Sequence, residues 1–215
     1  MTTQAVAELA PWVRRFCWSP AAELHPTRRE ALLPGLSDAQ WSRPGVQRQA
    51  SRHLIDGLSP AERLDELDVE VELQVLSDAG RLAVLPQAPL ERLATRLGFA
   101  LGGPADDSDL LGLDADDRSF AQSRARLYWR GPRRPLEGGP SPRVLGWMAL
   151  RRAVDGLPDG WTARFEWKTP VEPGPVPPTP SLLTDAAPVA LCAAALRILK
   201  EFETPWSSLF ANIRR

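Results

Sequence analysis

Cys17, Glu23 and His25 fall within nine residues, in the stretch RFCWSPAAELHP. A cysteine thiolate is a nucleophile when a neighbouring base takes its proton and a third group orients that base. Cysteine, histidine and glutamate are the residue types for that chemistry. Phe16 and Trp18 flank the thiol, however. They point it toward an apolar interior, where a thiol without cationic help stays protonated and inert. His25 precedes Pro26, which pushes its backbone out of the helical region and suits the imidazole to cap PTRREALL. The stretch reads first as a packed segment. A hydrolase using Cys17 and His25 is a rival.

Other motifs point to no metal, cofactor or catalytic group. His53 lies in VQRQASRHLIDGL without a second histidine four residues away, the spacing a helical metal site needs. The acidic run DDSDLLGLDADD places Asp109 and Gly112 at the third and sixth positions of a calcium loop begun at Asp107. Leu111 and Arg118 then stand where oxygen ligands belong, so the loop fails and reads as a solvated turn capping the next helix. No GxxxxGK[ST] phosphate loop and no GxGxxG occurs. GPSPR, Gly139 to Arg143, lacks the second glycine of a nucleophile elbow.

One charge pattern is left. Arg118, Arg124, Arg126, Arg130, Arg133 and Arg134 follow the aspartates with no acid among them, and Tyr128 and Trp129 are interleaved. Arginine with aromatic residues suits a protein interface hot spot or a nucleic-acid surface; a solvated helix face is the plain alternative. The formal net charge of -1 weighs against nucleic acid. Arg124, Arg126, Trp129, Arg130, Arg133 and Arg134 are the candidate partner-binding residues.

The elements that must position these residues are mainly helical. Ser59-Pro60-Ala61-Glu62 has the form of a capping box, opening a segment that stops by Gly80, although DVEVELQVL alternates as a strand would. PLERLATRLGFALGG sets Leu90, Leu93, Leu97 and Leu101 on one helical face and ends on Gly102, Gly103 and Pro104. DDRSFAQSRARLYWR predicts a helix from an Asp116 or Asp117 cap to about Trp129. Ser141-Pro142 opens another, with Val144, Trp147, Met148 and Val154 as its apolar face and Gly156 as its stop. Pro188 to Phe202 aligns Val189, Cys192, Leu196, Leu199 and Phe202, which makes Cys192 a small core hydrophobe. WTARFEWK alternates Trp161, Ala163, Phe165 and Trp167, the periodicity of a strand. VEPGPVPPTP, Val171 to Pro180, is half proline and reads as a stiff strap. Whether 68–78 is helix or strand stays open. The expectation is a compact, irregular, mainly α domain spanning 1–215, with at most one short β element.

Composition agrees. A chain of 215 residues with 43% hydrophobic content can bury roughly 70% of its unfolded surface and needs no disulfide or metal to hold a core. The two cysteines lie far apart. MTTQAVAELAPWVRR has no secretory pattern, and no segment approaches the roughly 20 apolar residues of a membrane span. A reduced, cytosolic protein is expected. Lys168 and Lys200 are the only lysines; codon bias explains the arginine excess, although arginine also favours bidentate contacts. Of the eight tryptophans, Trp41, Trp129 and Trp206 are candidate partner anchors.

The order of motifs carries a resemblance. Phe16 leads into Ser19-Pro20-Ala21-Ala22 and Leu24-His25-Pro26; a leucine-rich stretch, Arg81 to Gly103, contains Arg-Leu-Gly; an amphipathic helix and Ser208-Leu209-Phe210 close the chain. In this order the sequence resembles the K subunit of the type III secretion sorting platform, the SctK/YscK/PscK family. Glu23 departs from the family's usual aromatic residue, and the proline strap and aspartate run have no counterpart in it. The resemblance implies a mainly helical cytosolic adaptor without catalytic activity or cofactor, peripheral to the inner-membrane apparatus of an injectisome. It would join the cytoplasmic domain of the inner-membrane ring protein to the pod (C-ring-like) protein, and through it the stator and ATPase, without nucleic acid and without inserting in the membrane. The resemblance supplies no individual binding residues; the arginine cluster comes from charge and aromatics alone.

Overall fold

The computed structural model describes residues 3–65, 76–102, 107–131, 140–171, 179–202 and 206. The fold is mainly α, and among the described residues there is no strand. In chain order, α1 is Thr3–Trp18, α2 Pro26–Leu32, α3 Asp38–Trp41, α4 Pro44–Asp56 and α5 Asp78–Val84. There follow α6 (Gln87–Gly102), α7 (Asp107–Leu110), α8 (Ala115–Ser119), α9 (Pro142–Ala153), α10 (Asp159–Trp167), α11 (Ser181–Asp185) and α12 (Pro188–Phe202). Residues 1–2, 66–75, 103–106, 132–139, 172–178, 203–205 and 207–215 are outside the described residues. With them go most of the strand-like stretch, Gly103 and Pro104, the body of the proline strap and the Leu-Phe tail.

Short polar caps decide where helices begin. The imidazole Nδ1 of His25 accepts the Thr27 amide at 3.2 Å and opens α2, as its place before Pro26 predicts. Ser77 Oγ accepts the Gly80 amide at 3.0 Å, and Ser141 Oγ accepts the Val144 amide at 3.4 Å. Each satisfies a donor that a helix start leaves without a partner. Ser59 and Glu62 pair as the capping box requires, the Ser59 amide reaching Glu62 Oε2 at 2.9 Å. The turn they open is one 3-10 turn, Pro60–Glu62, and the backbone is extended by Arg63. Gly80, expected as a stop, lies instead inside α5.

The chain divides into two compact units, each drawing on distant stretches of sequence. The first comprises Met1–Gln87, Gly156–Gly174 and Leu209–Arg215. Its spine is α10. The aromatic alternation predicted a strand here; the backbone is helical, and the buried residues are Trp161, Arg164, Phe165 and Lys168, one helical stripe. Two of the four are cations. Arg164 donates from Nε to Cys17 O at 2.9 Å and from Nη1 to Glu62 O at 3.0 Å and Gly160 O at 2.8 Å. Lys168 Nζ donates to Ala83 O at 2.9 Å and to Leu85 O, and stands 5.4 Å from the Phe16 ring centroid. These cations fill the carbonyl-bearing ends of α1 and α5, where positive charge is favoured. Glu23, also buried, pairs with Arg15 Nε at 2.7 Å and accepts the Gln87 amide at 2.9 Å. Trp41, a candidate partner anchor by sequence, is 2% exposed and donates Nε1–H to Ala21 O: it is core.

The second unit comprises Ala88–Asp155 and Pro175–Ser208. Here α6 and α9 meet backbone to backbone. A Cβ on Gly146 would lie 1.7 Å from Ala94 O, and one on Gly98 would lie 1.7 Å from Pro142 O. Only glycine fits either point. The buried residues of α9 are Leu145, Trp147, Ala149, Leu150 and Ala153; Val144 and Met148, expected inward, are only half-buried. Gly156 then stops the chain at φ +97°. α12 packs along α9 through Leu191, Cys192, Ala194, Ala195, Ile198 and Leu199. Val189, predicted on that face, is 80% exposed.

Candidate partner interface

The arginine-rich segment belongs to the second unit, and its conformation determines which of its side chains reach solvent. Asp114, not Asp116 or Asp117, caps α8, its carboxylate accepting the Asp117 amide at 2.7 Å. After Ser119 the helix widens into a π turn, Phe120–Arg124, and then tightens into a 3-10 turn, Ala125–Leu127. The π turn spends one extra residue per turn and shifts the register of all that follows. Phe120, Ala121, Ala125, Tyr128 and Trp129 are buried in consequence, while Arg124, Arg126, Leu127 and Arg130 are exposed.

A buried cluster holds the segment from beneath. Arg96 of α6 donates Nε–H to Asp117 Oδ1 at 2.6 Å, and both residues are buried. The guanidinium of Arg96 lies 4.4 Å from the centroid of the Phe202 ring, a cation–π contact. Phe202 stands edge-on to Phe120 at 5.2 Å, and Tyr128 lies 5.4 Å from Phe120. Burial raises the Asp117 carboxyl above its ordinary value despite the attraction of Arg96. The phenol of Tyr128 is pushed up to about 12, by burial first and then by its hydrogen bond to the Glu201 carboxylate.

On the solvent side, α12 supplies the other half of the surface. Arg197 Nη2 donates to Tyr128 O at 2.8 Å. Glu201 accepts from Arg124 Nη1 at 2.8 Å and from the Tyr128 hydroxyl. Arg197 and Lys200 are exposed beside it. Leu127, between Arg126 and Tyr128 in sequence, is 70% exposed.

Of the sequence candidates, the structure brings Arg124, Arg126 and Arg130 to the surface. Trp129 is 7% exposed and faces inward; as a surface anchor it is withdrawn, because the π turn rotates it into the core. Arg133 and Arg134 lie outside the described residues. Leu127, Arg197, Lys200 and Glu201 were missed. A helical reading gives a lone leucine among arginines no reason to face water, and Arg197 and Lys200 counted only as interruptions of an apolar run.

The cysteine–histidine stretch lies in the first unit and is occupied structurally. Cys17 is fully buried, and burial pushes its thiol up to about 12, far from the ionised form a nucleophile needs. His25 is 3% exposed and spends Nδ1 on Thr27, the ring nitrogen lying 3.2 Å from its amide and 2.9 Å from its hydroxyl. Among the described residues, no group of three His, Cys, Asp or Glu gathers as a metal site would require, and no helix is long and apolar enough to cross a membrane.

No protein-family model, curated protein or solved structure matches this chain.

Proposed function

We propose that this chain is a non-catalytic adaptor of a bacterial type III secretion system, linking the cytoplasmic domain of the inner-membrane ring to the pod protein of the sorting platform. The order of its motifs supports this reading. The observation that carries it is an exposed arginine–leucine surface held on a buried ion-pair and aromatic cluster. A surface of that kind serves association: its side chains reach outward, and their support is rigid, which lowers the ordering cost of binding a partner. A cysteine-dependent hydrolase loses its footing because the Cys17 thiol is sealed in the core.

The test uses the purified full chain with the purified ring-protein cytoplasmic domain and the purified pod protein, mixed pairwise and followed by calorimetry and gel filtration. Saturable, micromolar or tighter binding to at least one is expected. Binding to neither rejects the adaptor reading.

A further inference from the structure

We propose that the surface formed by Arg124, Arg126, Leu127 and Arg130 with Arg197 and Lys200 of α12 docks an acidic segment of a partner protein. That segment would set carboxylates against the guanidinium groups and one apolar side chain over Leu127. The proposal rests on the adaptor reading of the same site and adds the chemistry of what is bound.

Charge favours an acidic partner. Arg124, Arg126, Arg130, Arg197 and Lys200 are all exposed, and among the described residues Glu201 is bonded to Arg124 while Arg197 bonds the Tyr128 carbonyl. The whole chain carries a formal net charge of -1, so the cations gathered here are balanced by acids elsewhere. A local excess of one sign steers a partner of the other.

The type of cation favours a carboxylate. Four of the five are arginine, whose planar fork matches a carboxylate with two parallel hydrogen bonds. The surface already holds one carboxylate: Glu201 receives Arg124 on one oxygen and the Tyr128 hydroxyl on the other. A carboxylate from outside would meet the exposed side chains of Arg126 and Arg130.

Leu127 favours a protein partner. It is 70% exposed, and its immediate chain neighbours are Arg126 and the buried Tyr128. Apolar contact ringed by charge is the anatomy of a protein–protein contact. A phosphate backbone, by contrast, gains nothing from an aliphatic side chain and is repelled by Glu201. The support is fixed: Ala125, Tyr128 and Trp129 are buried behind the patch, and Arg197 holds the Tyr128 carbonyl.

The experiment is a selection from a phage-displayed random peptide library on the immobilised full chain. The best peptide is then synthesised with a fluorophore, and its affinity is measured by anisotropy at low and raised salt. Enriched sequences should carry clustered Asp or Glu beside a Leu, Ile or Phe. Affinity should fall at least about tenfold for the pair Arg126→Glu and Arg130→Glu, and severalfold for Leu127→Ser. All three positions are exposed; should the charge reversal fail to fold, Arg126→Gln with Arg130→Gln gives the same readout. Enrichment without acidic bias, affinity unchanged in the variants, or tighter binding of a single-stranded oligonucleotide would each overturn the proposal. The same variants are carried into the ring-domain and pod-protein assays. Ring or pod binding that survives the charge reversal sinks this surface and leaves the adaptor reading standing. Peptide binding without ring or pod binding does the reverse.

Discussion

Replacing Gly146 with alanine adds one methyl group at the point where α6 and α9 touch. The new Cβ would stand 1.7 Å from Ala94 O, 2.6 Å from Ala94 C and 3.0 Å from Gly98 N. Ordinary carbon contacts need about 3.5 Å, so the two helices must part by well over an ångström or tilt. The obstacles are backbone atoms of a helix and cannot rotate away as a side chain would. Overpacking that side chains can absorb costs about 1–3 kcal/mol. Here the separation also loosens neighbouring core positions such as Leu97 and Leu145, both fully buried. Against this, alanine returns about 1 kcal/mol of helix propensity over glycine. The balance is a loss of about 2–4 kcal/mol, read as a lower urea midpoint at unchanged slope. Gly102→Ala, one turn along α6 from Gly98, is the internal control: its nearest neighbour would be Leu145 Cδ2 at 3.5 Å, ordinary contact. That variant should match the parent protein or exceed it by up to about 1 kcal/mol. If Gly146→Ala unfolds at the same urea concentration as Gly102→Ala, the close approach of the helices is wrong.

Two further perturbations address the buried charges. Burial lowers the Lys168 ammonium from 10.5 to about 8, so between those values the unfolded chain holds a proton that the folded chain lacks. Stability from this group therefore rises with pH across that window, by about 3 kcal/mol. The Cys17 thiol, pushed up to about 12, acts oppositely above pH 9 but equally in both proteins. The stability difference between the parent and Lys168→Met should shift toward the parent by that amount from pH 8 to 10.5 in urea titrations; a flat difference would refute the assignment. Asp117→Asn leaves the Arg96 guanidinium buried without its carboxylate and should cost about 3–5 kcal/mol by chemical denaturation. An unchanged midpoint would show that the pair contributes nothing.

Where the sequence was legible, the signal was a cap or a stop. Ser141-Pro142, Gly156 and the run Pro188–Phe202 bound helices at the places they predict, because polar caps and positive-φ glycines act locally. WTARFEWK misled because its helical stripe is carried by Arg164 and Lys168, which a hydrophobicity pattern assigns to the solvent side. Their partners, the carbonyls of Cys17, Glu62, Ala83 and Leu85, lie far away in sequence. The inward face of α12 was misjudged for a related reason: Ala194 and Ala195 are core residues there, whereas the larger Val189 faces water. The candidate interface was half legible. Charge clustering picked out Arg124, Arg126 and Arg130, but a π turn leaves no periodic trace, so the inward turn of Trp129 and the outward one of Leu127 had no signature.

The interleaving of the two units bears on how the polypeptide is made. The carbonyls at the ends of α1 and α5 leave the ribosome long before the cations that fill them, since Arg164 and Lys168 lie beyond the whole first segment of the second unit. At roughly 5–20 residues per second, translation from Gln87 to Lys168 takes about 4–16 s. For that interval the amino-terminal helices wait half-built, exposing the apolar seat of Trp161 and Phe165 to whatever chaperone stands at the exit tunnel. A premature stop anywhere in that window releases a fragment with no means of closing its own core, and a stall holds one at the tunnel in the same state.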